Sequence, residues 1–116
     1  MNIKIPIEKK TLSNKAYRHV LLTTKQMQIV IMNIPVSEDI PEEKHIATTQ
    51  FIRVEKGHAI AKVAGKTYKL IDGDSIVIPN NTKHYIKNTG DEDLLLYTIY
   101  SPPEHHDKLI QKKKPE

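Results

Sequence analysis

The chain has 116 residues, 38% hydrophobic and 28% charged, with 18 Lys and Arg against 14 Asp and Glu for a formal charge of +4. That length holds one core rather than two, and the balance is that of a folded globular domain rather than a disordered one. No cysteine is present, which excludes disulfides, thiolate nucleophiles, iron–sulfur clusters and sulfur-ligated zinc.

Residues 1–14 have little pattern beyond alternating Ile3, Ile5 and Ile7 and are expected to form an N-terminal extension or an edge strand. The first residues lack the apolar stretch and small-residue cleavage site of a signal peptide. No apolar run approaches the roughly 20 residues of a membrane-spanning helix. A cytoplasmic location without a membrane partner is therefore expected. Residues 15–103 carry the recurring signal of a barrel, short β-rich runs punctuated by turn residues. The predicted strands are His19–Thr23, Gln28–Ile34, Thr49–Glu55, His58–Val63, Lys66–Leu70, Ser75–Ile78, Lys83–Lys87 and Leu94–Ser101. Ala64-Gly65 predicts a tight hairpin, and Asp72-Gly73 and Thr89-Gly90-Asp91 mark further turns. Pro35, Pro41 and Pro79 fall at strand edges, where a missing N–H costs least. Residues 104–116, with Lys112 to Lys114, are expected to be a solvated tail, and His105-His106 a solvated extension following Pro102-Pro103.

Strand alternation assigns faces. Gln50, Ile52 and Val54 share one face, opposite Phe51, Arg53 and Glu55. His84, Ile86 and Asn88 share another, opposite Tyr85 and Lys87. Tyr97 alternates with Leu95 and Ile99 as core or pocket lining. Short strands at this spacing, with no sustained helical period, predict an all-β sandwich or barrel. In two strands a polar residue, Gln50 or His84, heads an otherwise apolar face. Glu43 and His45, two apart, project together from an extended strand. Folding these strands together would assemble two imidazoles, a carboxylate and an amide oxygen, a suitable set for a first-row divalent ion. The set depends on register, because a slip that turned Glu42 inward would remove Glu43 from it.

Two spaced motifs join these signals, and through them the chain resembles the cupin superfamily, specifically its small single-domain members. The second cupin motif, GxxxxxPxGxxHxxxN, is matched from Gly73 through Pro79 and His84 to Asn88, with Asn81 at the internal Gly position. Asn is the non-Gly residue that best tolerates the left-handed conformation such a turn needs. The first motif, GxxxxxHxHxxxxExxxxxxG, is kept in spacing by Ser37, Glu43, His45, Gln50 and Gly57, with Ser, Glu and Gln replacing Gly, His and Glu. The likeness runs from about residue 15 to residue 106, including Tyr17-Arg18-His19-Val20, Gln28–Met32, Gln50–Glu55 and Leu96–His105. It implies a double-stranded β-helix, or jelly-roll barrel, with a ligand pocket at one mouth. It also implies metal ligands at Glu43, His45, Gln50 and His84 for Mn, Fe, Zn or Ni, and a homodimer.

A metal at a barrel mouth acts as a Lewis acid or binds dioxygen. The leading expectation is a metal-dependent enzyme on a small polar molecule, of sugar or sugar-phosphate isomerase type, with Glu43 or a bound water as base. Lys44 and Lys83 are candidate cations beside the site. A non-catalytic small-molecule binding or sensing module and a non-haem metal dioxygenase are the alternatives, the first favoured by Gln50 in place of an acidic ligand. Nucleic acid is not an expected partner: basic residues are interspersed with acidic ones, and one Phe and five Tyr offer no stacking platform.

Overall fold

The computed structural model describes residues 2–116, so of the segment 1–14 only Met1 lies outside the described residues. One helix, α1 (Ile7–Ser13), precedes ten strands: β1 (Arg18–Thr23), β2 (Gln28–Ile34), β3 (Asp39–Glu43), β4 (Thr49–Lys56), β5 (Ala59–Val63), β6 (Lys66–Leu70), β7 (Ser75–Ile78), β8 (His84–Asn88), β9 (Leu94–Ser101) and β10 (Ile110–Gln111). They form two antiparallel sheets, ordered β10-β1-β2-β9-β4-β7 and β3-β8-β5-β6. Face to face, these make the expected cupin jelly roll, closed around Val30, Met32, Ile34, Ile52, Val54, Ala61, Ile86, Leu94 and Leu96. Alternation is the reason: each of these residues lies on the inward set of its strand, so burying one buries its i±2 neighbours.

Left-handed backbone appears where the motifs ask for glycine. Gly57 and Gly73 have φ of 103° and 90°, and Ser37 and Asn81, which stand at glycine positions, take φ of 70° and 59°. The turns survive both replacements because their geometry is imposed by the strands on either side. The Ala64-Gly65 hairpin is a two-residue turn with φ of 50° and 82°, closed by the Val63–Lys66 pair. Positive φ at both central residues is the type I′ geometry that matches strand twist.

The two ends depart from expectation. Among the described residues the N-terminal segment forms no strand: Ile3 is 79% exposed while Ile5 and Ile7 are half-buried, and Glu8-Lys9-Lys10 favour helix from Ile7 onward. α1 lies over β9, β4 and β2. Nor is 104–116 simply a solvated tail. β10 pairs with β1 through Arg18–Gln111 and His19–Ile110, Leu109 packs against the core, and the Lys114 ammonium holds Asp39. A lone charged run says nothing of these contacts because each partner lies far away in sequence.

Candidate metal centre

β3 and β8 run side by side, with Glu43 opposite His84, and a register irregularity between Ile40 and Glu43 turns the end of β3 inward. His45 stands just beyond β3, in the loop to β4, so the two-residue spacing works through that loop rather than through strand alternation. One ligand atom each from Glu43, His45 and His84 lies within 4.8 Å of the other two. Glu43 Oε1 is 3.3 Å from His45 Nε2 and 3.6 Å from His84 Nε2. The imidazole centroids are 5.1 Å apart. Burial pushes the Glu43 carboxyl up, but the two imidazoles outweigh it and bring the pKa down to about 2. His45 moves the other way, raised chiefly by Glu43 against the opposing effect of burial.

The other faces of the rings are already committed. His84 Nδ1 lies 2.9 Å from the Thr82 carbonyl oxygen, which only accepts, so the ring proton of the neutral form sits on Nδ1. His45 Nδ1 is held at 2.9 Å by Glu104 Oε1, likewise an acceptor. In their neutral forms both rings thereby turn Nε2, with its lone pair, toward Glu43, and neither Nε2 has a well-aligned hydrogen bond although both are buried. Gln50 is fully buried and donates from Nε2 to Thr98 Oγ1 at 2.9 Å, leaving its Oε1 unpartnered. Buried polar atoms left without partners are uncommon. Two imidazole nitrogens and an amide oxygen, each offering a lone pair beside an ionised carboxylate, suit a cation. The outer partners are of the kind that orient metal-bound imidazoles.

Glu104 was not singled out by sequence reasoning, and His105 is not a solvated extension. The buried Gln28 side chain accepts from the Glu104 and His105 backbone N–H groups at 3.2 and 2.9 Å and donates to the His105 carbonyl at 2.7 Å. His105 packs edge-on to Tyr100, centroids 5.0 Å apart, and Tyr100 packs likewise on His45 at 5.8 Å. Burial, helped by Arg18, brings the His105 pKa down to about 4. The inward polar partner of this segment, Gln28, begins β2 on its core face, and that is the only trace in the sequence. Lys44 and Lys83 are exposed. A cleft of about 330 Å³ opens beside Glu43; the larger hollow of about 730 Å³ beside α1 contains no member of the donor cluster.

Comparison with known proteins identifies the fold. The Cupin domain family model matches residues 30–100. The chain belongs to the cupin family. An uncharacterized protein of Acanthamoeba polyphaga mimivirus is 41% identical over 97% of this cupin, which spans 72% of that protein. YrkC of Bacillus subtilis, also uncharacterized, is 37% identical over 87% of the chain, and this cupin spans 58% of its length. A crystal structure of a Bacillus halodurans protein superposes with a TM-score of 0.94 at 34% identity, covering 97% of this cupin and 89% of that chain. Among the described residues no helix is long and apolar enough to cross a membrane.

Proposed function

We propose that this cupin holds one divalent transition-metal ion on Glu43, His45 and His84, with Gln50 as a fourth ligand, and uses it to act on a small oxygen-rich molecule. The observation that carries the reading is the pair of bare, buried Nε2 atoms facing Glu43, each fixed by an acceptor on its Nδ1 side. When bound, the ion would supply Lewis acidity toward a carbonyl or hydroxyl oxygen. Glu43 meets both imidazoles through Oε1, which leaves Oε2 as the oxygen able to take a proton from a ligand in the adjoining cleft. An isomerase-type reaction on a hydroxyl- and carbonyl-bearing molecule uses these two functions together.

A second reading rests on the donor set itself. Two histidines and one carboxylate with further positions open is the set of non-haem Fe(II) oxygenases.

Elemental analysis of the protein purified without added metal or chelator tests the assignment, repeated on His45→Ala and His84→Ala. About one metal ion per chain, lost from both variants, is expected. A native protein that neither carries nor takes up metal would overturn the reading, and the barrel would then serve as a binding module. Iron together with oxygen uptake selects the second reading, while manganese or zinc selects the first.

A further inference from the structure

Arg18 begins β1 on its inward set, opposite the buried Met32. The side chain is 8% exposed, an unusual position for a guanidinium, which loses hydration there and calls for a counter-charge. Its partners in the fold carry none. Nη1 donates to the neutral Gln111 amide oxygen, the guanidinium carbon lies 5.3 Å from the Tyr17 ring centroid, and Nε is buried with no acceptor. Among the described residues no carboxylate pairs with Arg18. The 330 Å³ cleft is bounded by Arg18 on one side and Glu43 on another, with Tyr17, Pro41 and the C-terminal residues closing it. The cleft therefore runs from Arg18, which no carboxylate pairs, to Glu43, the one member of the donor cluster that lines it.

From this juxtaposition we infer that Arg18 anchors the carboxylate of a small 2-oxo or 2-hydroxy acid whose adjacent oxygen lies toward Glu43 and the ion that Glu43 would help to hold. The planar guanidinium fork matches a carboxylate bidentately. The charges agree. Lys114 is already matched to Asp39, and Glu116 lines the cleft from an exposed position. A divalent ion with ionised Glu43 leaves one positive charge, to which Arg18 adds a second. With the exposed Glu116 carboxylate counted, one positive charge remains, and a monoanion is the ligand such a cleft compensates. A neutral sugar would leave Arg18 uncompensated. The volume is at the small end for ligand clefts and accommodates such an acid.

The inference rests on the metal reading, so its test separates the two. The Mn(II)-loaded protein is titrated with pyruvate, following paramagnetic broadening of the pyruvate methyl signal, and with methyl pyruvate, which keeps the keto oxygen but lacks the charge. Wild type is expected to broaden pyruvate and not methyl pyruvate. Arg18→Met is expected to keep one metal per chain and weaken pyruvate binding by at least about tenfold, the loss of a charge-assisted pair. Should that variant fail to fold, Arg18→Lys carries the test, with a severalfold weakening expected because a point charge replaces the fork. Equal pyruvate affinity in an Arg18 variant that retains its metal overturns the Arg18 assignment and leaves the metal reading standing. If wild type takes up no metal, pyruvate shift changes in the metal-free protein decide. Binding that needs Arg18 supports the anchor; absence of binding overturns it.

Discussion

Glu104 Oε1 lies 2.9 Å from His45 Nδ1, so a residue from the segment after β9 sets the ring orientation of a donor located before β4. Gln28 holds that segment through three hydrogen bonds to its backbone, and His105 fills the space behind Tyr100. The donor cluster is thus completed by a part of the chain outside both cupin motifs.

Glu104→Ala is expected to lower metal affinity by about 10- to 100-fold, the range seen when the outer partner of a metal-bound histidine is removed. Glu104→Gln, which still accepts from Nδ1 but carries no charge, is expected to lose less. Competition with a chromophoric chelator measures both. Equal affinities for Glu104→Ala and wild type would mean that His45 is positioned by packing alone.

The division between what the sequence shows and what it hides follows from contact range. Strands β2, β4, β6, β7 and β9 are legible because alternation and Gly turns are local, and His84 is legible because its motif lies within one short stretch, Gly73 to Asn88, that crosses from β7 to β8. Strand β3 carries Pro41 and acidic residues and has no alternation to find. Strand β10 is two residues long and exists only through β1. Glu104 and Arg18 gain meaning from partners tens of residues away. Arg18 did leave one local sign, since it alternates with Val20 on a core-facing set.

Asp39 accepts from the Tyr85 hydroxyl at 2.6 Å and from Lys114, and the Lys114 hydrogen bond holds its carboxyl below the usual range. A carboxylate depressed in the folded state contributes stability above its unfolded value, about 3.9, and loses it as pH falls toward the folded value. Wild type is therefore expected to melt above Asp39→Asn at pH 7, by no more than about 1 kcal/mol for so accessible a pair. The gap should close as the pH falls below about 4. Thermal melts of both proteins between pH 7 and 3 check this; a gap constant with pH would detach the contribution from the charge.

Ala64 occupies the first left-handed position of the β5–β6 hairpin, and both turn residues are exposed. An L-residue with an ordinary side chain gives up roughly 1–2 kcal/mol there, whereas Asn tolerates the conformation. Asn-Gly is also the strongest two-residue hairpin pair. Ala64→Asn is expected to stabilise the protein by about 0.5–1 kcal/mol, read as a rise of a few degrees in Tm, with metal content unchanged. A lower Tm would show that the turn is not limited by its first residue.

The outer face of the six-stranded sheet carries an apolar row: Val77, Phe51, Ile99, Ile29 and Leu22 stand side by side, one from each of five strands. Val77 is 56% exposed, and the Arg53–Glu55 pair, at 3.3 Å, borders the row. A second copy of the chain is expected on this face, since a continuous apolar row is unfavourable in water and an isologous contact would cover it. Light scattering after size exclusion should give a dimer at tens of micromolar, and Phe51→Glu combined with Val77→Glu a monomer with its metal intact. A monomeric wild type would overturn that expectation.

Gln50 separates a ligand from an inherited position. Its amide is fully buried, one end spent on Thr98 and the other unpartnered. In Gln50→Glu the Thr98 hydroxyl can still donate to the new carboxylate, but without metal a charge sits in the core, and the metal-free protein should melt at a lower temperature than wild type. With metal, a second carboxylate neutralises the site, and affinity should rise by at least about tenfold, the return of a charge-assisted contact. Melting with and without one equivalent of Mn(II) or Zn(II) reads both effects at once, since binding to the folded state alone raises Tm. Opposite signs in the two conditions would place Gln50 on the ion. A loss in both would mean that its oxygen faces protein, leaving Glu43, His45 and His84 as the whole of the protein's donor set.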